Sequence, residues 1–228
     1  MSPLAVPDGS LAVAVDVVLL ALQLTGDTAE PVFLAQRRRN QPFAGMWSLP
    51  GVIMRDREDL ESAVHRALAR SGTALERIRH MEQLGTFGAP QRDPRGRVMS
   101  VSYLALLPQP AKAEADTEWL PATPPPAHAT TLAFDHAEIL STAVERLRGK
   151  LSYSNVAFGL LGESFTLSEL QAVYEAVLGR ELDKRNFRKK VLARDLVAES
   201  DGMRRGAHRP ARLYRFRHTE LVLLDDIL

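Results

Sequence analysis

The chain of 228 residues contains no cysteine. Disulfides and thiolate metal sites are excluded, and the composition fits a reducing compartment. Long apolar runs are also missing. The longest, Leu11 to Leu24, is interrupted by Asp16 and is too short to cross a bilayer as a helix. No basic stretch precedes it, so the amino terminus does not read as a signal peptide, and a soluble cytoplasmic protein is expected. Repeats and low-complexity tracts are absent. Net charge is nearly absent as well, at +1, but the charge is unevenly placed. Between Arg180 and His218 thirteen Lys and Arg face five Asp and Glu, whereas the rest of the chain carries sixteen against twenty-three. An acidic body with a basic end is the asymmetry of a nucleic-acid-binding module joined to something else; a solvated charged surface is the plainer alternative. With 45% hydrophobic residues, the length supports one large domain or two modest ones.

The front half mixes strands and helices. Leu11–Leu22, Pro31–Arg37 and Val98–Leu107 read as strands rich in Val, Leu and Phe. An amphipathic helix is expected over Asp59 to Ser71, with Leu60, Val64 and Leu68 on one face. Turn chemistry marks Asn40 to Gly45 and Arg92 to Gly96, and Pro121 to Pro126 is a proline-rich loop. A further helix runs from about Asp135 to Lys150, turning Ile139, Ala143, Val144 and Leu147 inward, with Asp135 and His136 as candidates to cap it.

The pattern changes near Leu151, which suggests domains over residues 1–150 and 151–228. Tyr153–Leu161 suits a short helix ending at Gly162. Thr166-Leu-Ser-Glu169 is a capping box that opens a helix burying Leu167, Leu170, Tyr174 and Val177 and closed by Gly179. Asp183 caps the next helix, Lys184 to Arg194, expected to bury Phe187, Val191 and Leu192. Strand-like stretches Leu196–Ser200 and Ala211–Phe216 follow, joined by a basic connection. Two helices across a tight turn and then a basic hairpin describe a winged helix-turn-helix.

The outer face of the second helix carries Lys184, Arg185, Asn186, Arg188 and Lys189. Lysine and arginine neutralise phosphates and release counterions, while Arg and Asn can pair with guanine and adenine edges in the major groove. Arg204, Arg205, His208 and Arg209 in the wing are placed to reach phosphates or a minor groove. The alternatives are a basic helix without a partner, or a winged helix that binds RNA or protein.

Trp47-Ser-Leu-Pro50-Gly51 followed by an amphipathic helix resembles the Nudix hydrolase fold. Glu58, Arg66 and Leu68 fall on box positions, but Val52 replaces the box glycine and Ala67, Arg70 and Ser71 replace three glutamates. Without those carboxylates, magnesium loses its oxygen ligands, and Arg70 would repel it. A degenerate Nudix domain followed by a winged helix is similar to the Nudix-related transcriptional regulator (NrtR) family. Matching segments are Thr86-Phe-Gly88, Arg92-Asp-Pro-Arg-Gly-Arg97, Leu132-Ala-Phe-Asp-His136, Phe165 to Gln171, Asn186-Phe-Arg188 and Arg209-Pro-Ala-Arg-Leu-Tyr214.

The expected fold is therefore α+β, an α/β/α Nudix-like sandwich with a second, smaller winged helix-turn-helix domain. The resemblance implies a homodimeric regulator, most simply a repressor, of NAD or related nucleotide metabolism that binds a palindromic double-stranded DNA operator. ADP-ribose or a similar nucleotide would be the effector, with no metal, no cofactor and no catalytic residue. Arg37, Arg92, Arg95 and Arg97 are candidate donors to a diphosphate. Trp47 and Phe87 are candidate adenine platforms, although Trp47 is equally suited to the core. The competing reading is a Nudix pyrophosphatase with an appended nucleic-acid domain, using Glu58, Asp59 and Glu61 as an unconventional metal site.

Overall fold

A strand that is buried on both faces reads in sequence as one apolar run, and β1 (Ala12–Thr25) is such a strand. Val15, Val17, Leu19 and Ala21 face one side, Val18, Leu20 and Leu22 the other, and all seven are buried. The computed structural model describes residues 10–25, 28–122, 132–204 and 210–224. Around β1 are β2 (Thr28–Arg37), β3 (Trp47–Ser48), β4 (Gly51–Ile53), β5 (His80–Phe87), β6 (Val98–Leu107) and β7 (Thr117–Pro121). They form one mixed sheet in the order β3-β2-β1-β6-β5, with β4 added to β1 and β7 to β2. β1 and β6 run parallel, with Val15 opposite Val101, and the other pairings are antiparallel.

Helices cover both faces. α1 (Leu60–Arg70) is capped by Asp59, whose carboxylate accepts from the Ser62 amide at 2.7 Å, and it buries Ala63, Val64, Ala67 and Leu68 against the Val17 side of the sheet. α2 (His136–Tyr153) lays Ile139, Leu140, Ala143 and Leu147 on the Leu20 side. Each fully buried Val or Leu contributes about 1.5–3 kcal/mol, so both helices are held mainly by these faces. The result is the α/β/α sandwich expected from the sequence.

A 3₁₀ turn (Val156–Leu160) leads from α2 into α3 (Leu167–Leu178), α4 (Lys184–Ala193) and the hairpin of β8 (Val197–Arg204) and β9 (Ala211–Phe216). Both halves of the Thr166–Glu169 capping box form, and Gly179 closes α3 at φ 68°, a left-handed conformation that costs glycine little. Tyr174, Val177, Phe187 and Val191 join Leu20, Phe33 and Leu106 of the sheet in one continuous apolar cluster.

Several expectations need correction. The helix expected over 153–161 is divided between the end of α2 and the 3₁₀ turn. α2 runs on to Tyr153, past the end expected at about Lys150. β8 extends to Arg204 rather than stopping at Ser200. Leu192 is 47% exposed instead of buried, because Phe187 and Val191 already fill the side of α4 that meets the core. Asp135 occupies the N-cap position of α2 but makes no capping bond; its carboxylate takes Arg92 instead. Most of the proline-rich loop lies outside the described residues. Among the described residues no helix is long and apolar enough to cross a membrane.

Candidate functional site

Three parts of the molecule carry the residues singled out above. The first is α4. Asp183 caps it by accepting from the Asn186 amide at 2.7 Å, which starts the helix just ahead of its basic residues. Lys184, Arg185, Asn186 and Lys189 are exposed. No side-chain hydrogen bond or ion pair engages Lys184, Arg185 or Lys189 among the described residues, which leaves their charge available to an external polyanion. Arg188 differs: its Nη2 donates to Ser168 Oγ on α3 at 3.0 Å, and its Nε is shielded without a partner.

In the wing, Arg204 turns toward the start of α3, with Nη2 at 3.4 Å from the Ser164 carbonyl and 3.3 Å from Glu169 Oε2. It lines a cleft between the sheet and the wing together with Leu24, Phe165 and Met203. Arg205, His208 and Arg209 lie outside the described residues.

The second part is a patch of guanidinium groups and aromatic rings around the β2–β3 hairpin. That hairpin is tight: the Arg38 amide donates to the Met46 carbonyl at 2.9 Å, and the Gly45 amide to the Arg38 carbonyl at 2.8 Å. Arg37 stacks over the Trp47 ring at 4.7 Å, and Trp47 also packs on the core, as one of its two readings expected. Arg38 lies 4.5 Å over the Phe134 ring, with Arg95 5.6 Å from the same ring. Phe43 meets Phe134 edge to face at 4.9 Å. Both phenylalanines have positive φ, 64° and 57°, a conformation that is costly for residues with a Cβ and characteristic of ligand clamps. Partial burial and the charge of Arg95 push the Arg38 guanidinium below its usual pKa. One carboxylate, Asp93, pairs with Arg95 at 2.6 Å. The patch therefore presents more positive than negative charge beside flat apolar surfaces.

The meeting of Arg38 and Phe43, which share the β2–β3 connection, with Phe134 did not stand out in the sequence, since Phe134 comes from a distant segment. The turn residues at 40–45 were the available signal. Of the residues expected to bind a ligand, Arg37, Trp47 and Arg95 belong to this patch. Phe87 packs against the core, and Arg97 donates to the Gly88 carbonyl at 2.7 Å within the β5–β6 hairpin.

Arg92 needs correction as a free donor. It is buried beneath the patch, with Nε 2.7 Å from Asp135 Oδ2, Nη2 2.6 Å from Asp135 Oδ1 and Nη2 3.5 Å from Asp16. Ser100 donates to Asp16 at 2.6 Å in the same network. His136 Nδ1 accepts from the Leu49 amide at 2.9 Å, placing the ring proton on Nε2, which lies 3.6 Å from Asp16. Burial pushes the His136 pKa down and favours this neutral form. The network pins the start of α2 to the sheet immediately after Phe134.

The third part is the box. Arg66 Nε donates to Glu58 Oε1 at 2.7 Å and Nη2 donates to Oε2 at 2.6 Å, while the Arg55 amide adds 2.8 Å to Oε2. These bonds, led by Arg66, hold the Glu58 carboxyl down at about 2. Ala67 is buried, Arg70 is exposed, and Ser71 Oγ is occupied by the Leu68 carbonyl at 2.8 Å. Asp59 caps α1. At the carboxylate positions of the box Glu58 is held by Arg66 and the other three are Ala67, Arg70 and Ser71, a donor set poorer in oxygen ligands than magnesium takes.

Both halves of the chain have counterparts among known proteins. Residues 11–143 match the NUDIX domain, and residues 157–216 match the NrtR DNA-binding winged helix domain. A relative from Acinetobacter baylyi, described as an ADPR responsive transcriptional repressor, is 34% identical over 197 residues, covering 83% of this chain and 77% of its own. The crystal structure of Shewanella oneidensis NrtR complexed with a 27mer DNA is 36% identical and superposes with a TM-score of 0.75, covering 90% of this chain and 93% of that one. A MutT/nudix family protein from Enterococcus faecalis is 28% identical with a TM-score of 0.73, over 92% of this chain and 90% of that one. A sandwich with a modified Nudix box, a winged helix at its end and a relative that matches across both lead to one assignment: the chain belongs to the NrtR family, in which a Nudix domain is joined to a DNA-binding winged helix.

Proposed function

We propose that the protein is a transcriptional repressor of NAD or related nucleotide metabolism. Its Nudix-like part, within residues 1–150, binds ADP-ribose without hydrolysing it, and its winged helix, within residues 151–228, binds duplex DNA. One juxtaposition carries this reading: in the same chain the box glutamate is neutralised by Arg66, while Lys184, Arg185 and Lys189 stand free of carboxylates among the described residues. The first disfavours metal-assisted hydrolysis, and the second favours a polyanionic partner.

Arg37, Arg38 and Arg95 supply donors to the diphosphate, and Trp47, Phe43 and Phe134 supply surfaces for the base or ribose. A homodimer would set two copies of α4 into half-sites of a palindromic operator about 34–36 Å apart. Ligand binding changes DNA affinity only through a difference between the two conformations, and the Arg92–Asp135 pair ties the start of α2 to the segment that carries Arg95.

The test measures fluorescence anisotropy on operator DNA with and without ADP-ribose, alongside chromatography of ADP-ribose incubated with the protein and magnesium. The expected result is DNA affinity altered by intact ADP-ribose. Steady turnover of ADP-ribose, abolished by Glu58→Gln, would instead establish a pyrophosphatase.

A further inference from the structure

An exposed leucine is ordinary on a protein surface, but the position of Leu192 is not. At 100° per residue, Phe187 and Val191 point α4 into the core, and the opposite side of the helix carries Arg185, Lys189 and Leu192 at i, i+4 and i+7. Leu192 is 47% exposed and belongs to neither apolar cluster of the molecule. The two cations sharing its stripe have no partner among the described residues. Arg188 is drawn sideways out of the stripe by its bond to Ser168 on α3. The outward face of α4 is therefore two free cations in line with one apolar side chain, spanning roughly 10 Å of helix axis.

The DNA duplex offers a counterpart for that combination. Its phosphates flank the major groove, and the one apolar group on the groove floor is the C5 methyl of thymine. A protein surface that docked there would gain nothing from a leucine opposite cytosine or guanine edges. We propose that Leu192 is a specificity-determining residue that packs on a thymine methyl group, while Arg188 acts as a positioning residue braced on Ser168. This rests on the reading of α4 as the DNA-contacting helix.

The experiment uses the full-length protein and an operator selected by that protein from a random-sequence duplex pool. Each thymine is replaced in turn by deoxyuridine, which keeps base pairing and removes only the methyl. With the native protein, replacement at one position per half-site should weaken binding about threefold to tenfold, the scale of burying one methyl group. With Leu192→Ala, that penalty should vanish while the other positions keep theirs. The exposed site predicts an unchanged melting temperature for this variant, so a folding defect would be seen separately. For the brace, Ser168→Ala should lower affinity without altering the ranking of single-base operator variants, as should Arg188→Ala.

If every thymine penalty persists in Leu192→Ala, or the native protein shows none, the assignment of Leu192 is overturned. A changed oligomeric state of Leu192→Ala by light scattering would overturn it in favour of a contact between copies. A new ranking of operator variants with Arg188→Ala would overturn the brace. Lys189→Ala tests the underlying premise: if it leaves DNA affinity intact, α4 itself is not the contacting helix.

Discussion

Glu58 and Arg66 form a two-point ion pair inside the box, with both carboxylate oxygens held by one guanidinium. The pair has a pH signature. Glu58 titrates from 4.5 down to about 2 because of Arg66 and the Arg55 amide. A carboxyl depressed in the folded state contributes stability above its unfolded pKa and loses it as the pH falls through the folded value. Unfolding free energy should therefore decline between pH 4.5 and about 2. In Glu58→Gln the decline should be shallower, as read by urea denaturation at stepped pH.

Arg92 joins Asp135 in the interior, where removing one partner leaves the other charged and desolvated. Arg92→Ala should cost about 3–5 kcal/mol of folding stability. A denaturation series that shows less than about 1 kcal/mol would place Arg92 among ordinary surface arginines.

Arg38→Ala and Phe134→Leu should each weaken ADP-ribose binding about tenfold or more, by removing a charge-assisted donor or a flat surface. Affinity for DNA in the absence of ligand should be preserved. Calorimetry with ADP-ribose and anisotropy with DNA separate the two, and unchanged calorimetry would move the effector site elsewhere.

Lys184→Ala, Arg185→Ala and Lys189→Ala should each reduce the slope of log affinity against log salt by about 0.9 where the side chain meets a phosphate. Binding measured from low to moderate salt gives that slope directly. A variant that loses affinity with its slope intact has lost a base contact rather than a phosphate contact.

Gly159 sits where the 3₁₀ turn touches the sheet, and an added Cβ would come within 2.9 Å of the Leu106 side chain. Gly159→Val should cost about 1–3 kcal/mol through overpacking.

Much of the fold was readable because its periodicities are strong. The doubly buried β1, the apolar stripes of α1 and α2 and the Thr166–Glu169 box announce themselves locally. β5 was missed because Leu84 is its one buried residue and a bulge at Gln83/Gly85 breaks its alternation. β7 is only five residues long and lies beside a proline-rich stretch. Leu192 was misplaced because an i, i+4, i+5 apolar spacing does not say which residue the core has room for. The guanidinium and aromatic patch was half legible: Arg37 and Trp47 flank the turn at 40–45 and Arg95 sits in the turn at 92–96, but the Arg38–Phe134 stack exists only once the chain has folded. Arg92 resembled a ligand donor for the same reason, since its partners Asp16 and Asp135 lie in distant segments.

The apolar cluster that runs from Leu20 and Phe33 of the sheet through Leu147 to Tyr174 and Val191 leaves no seam between sensor and reader. Cutting the chain near residue 150 would uncover apolar surface on both pieces, so each should be less stable than it is in the intact protein. Heating the intact protein should give a single calorimetric peak. Operator DNA would then raise the melting point of the Nudix sheet, and ADP-ribose that of the wing, although neither ligand touches the part it protects.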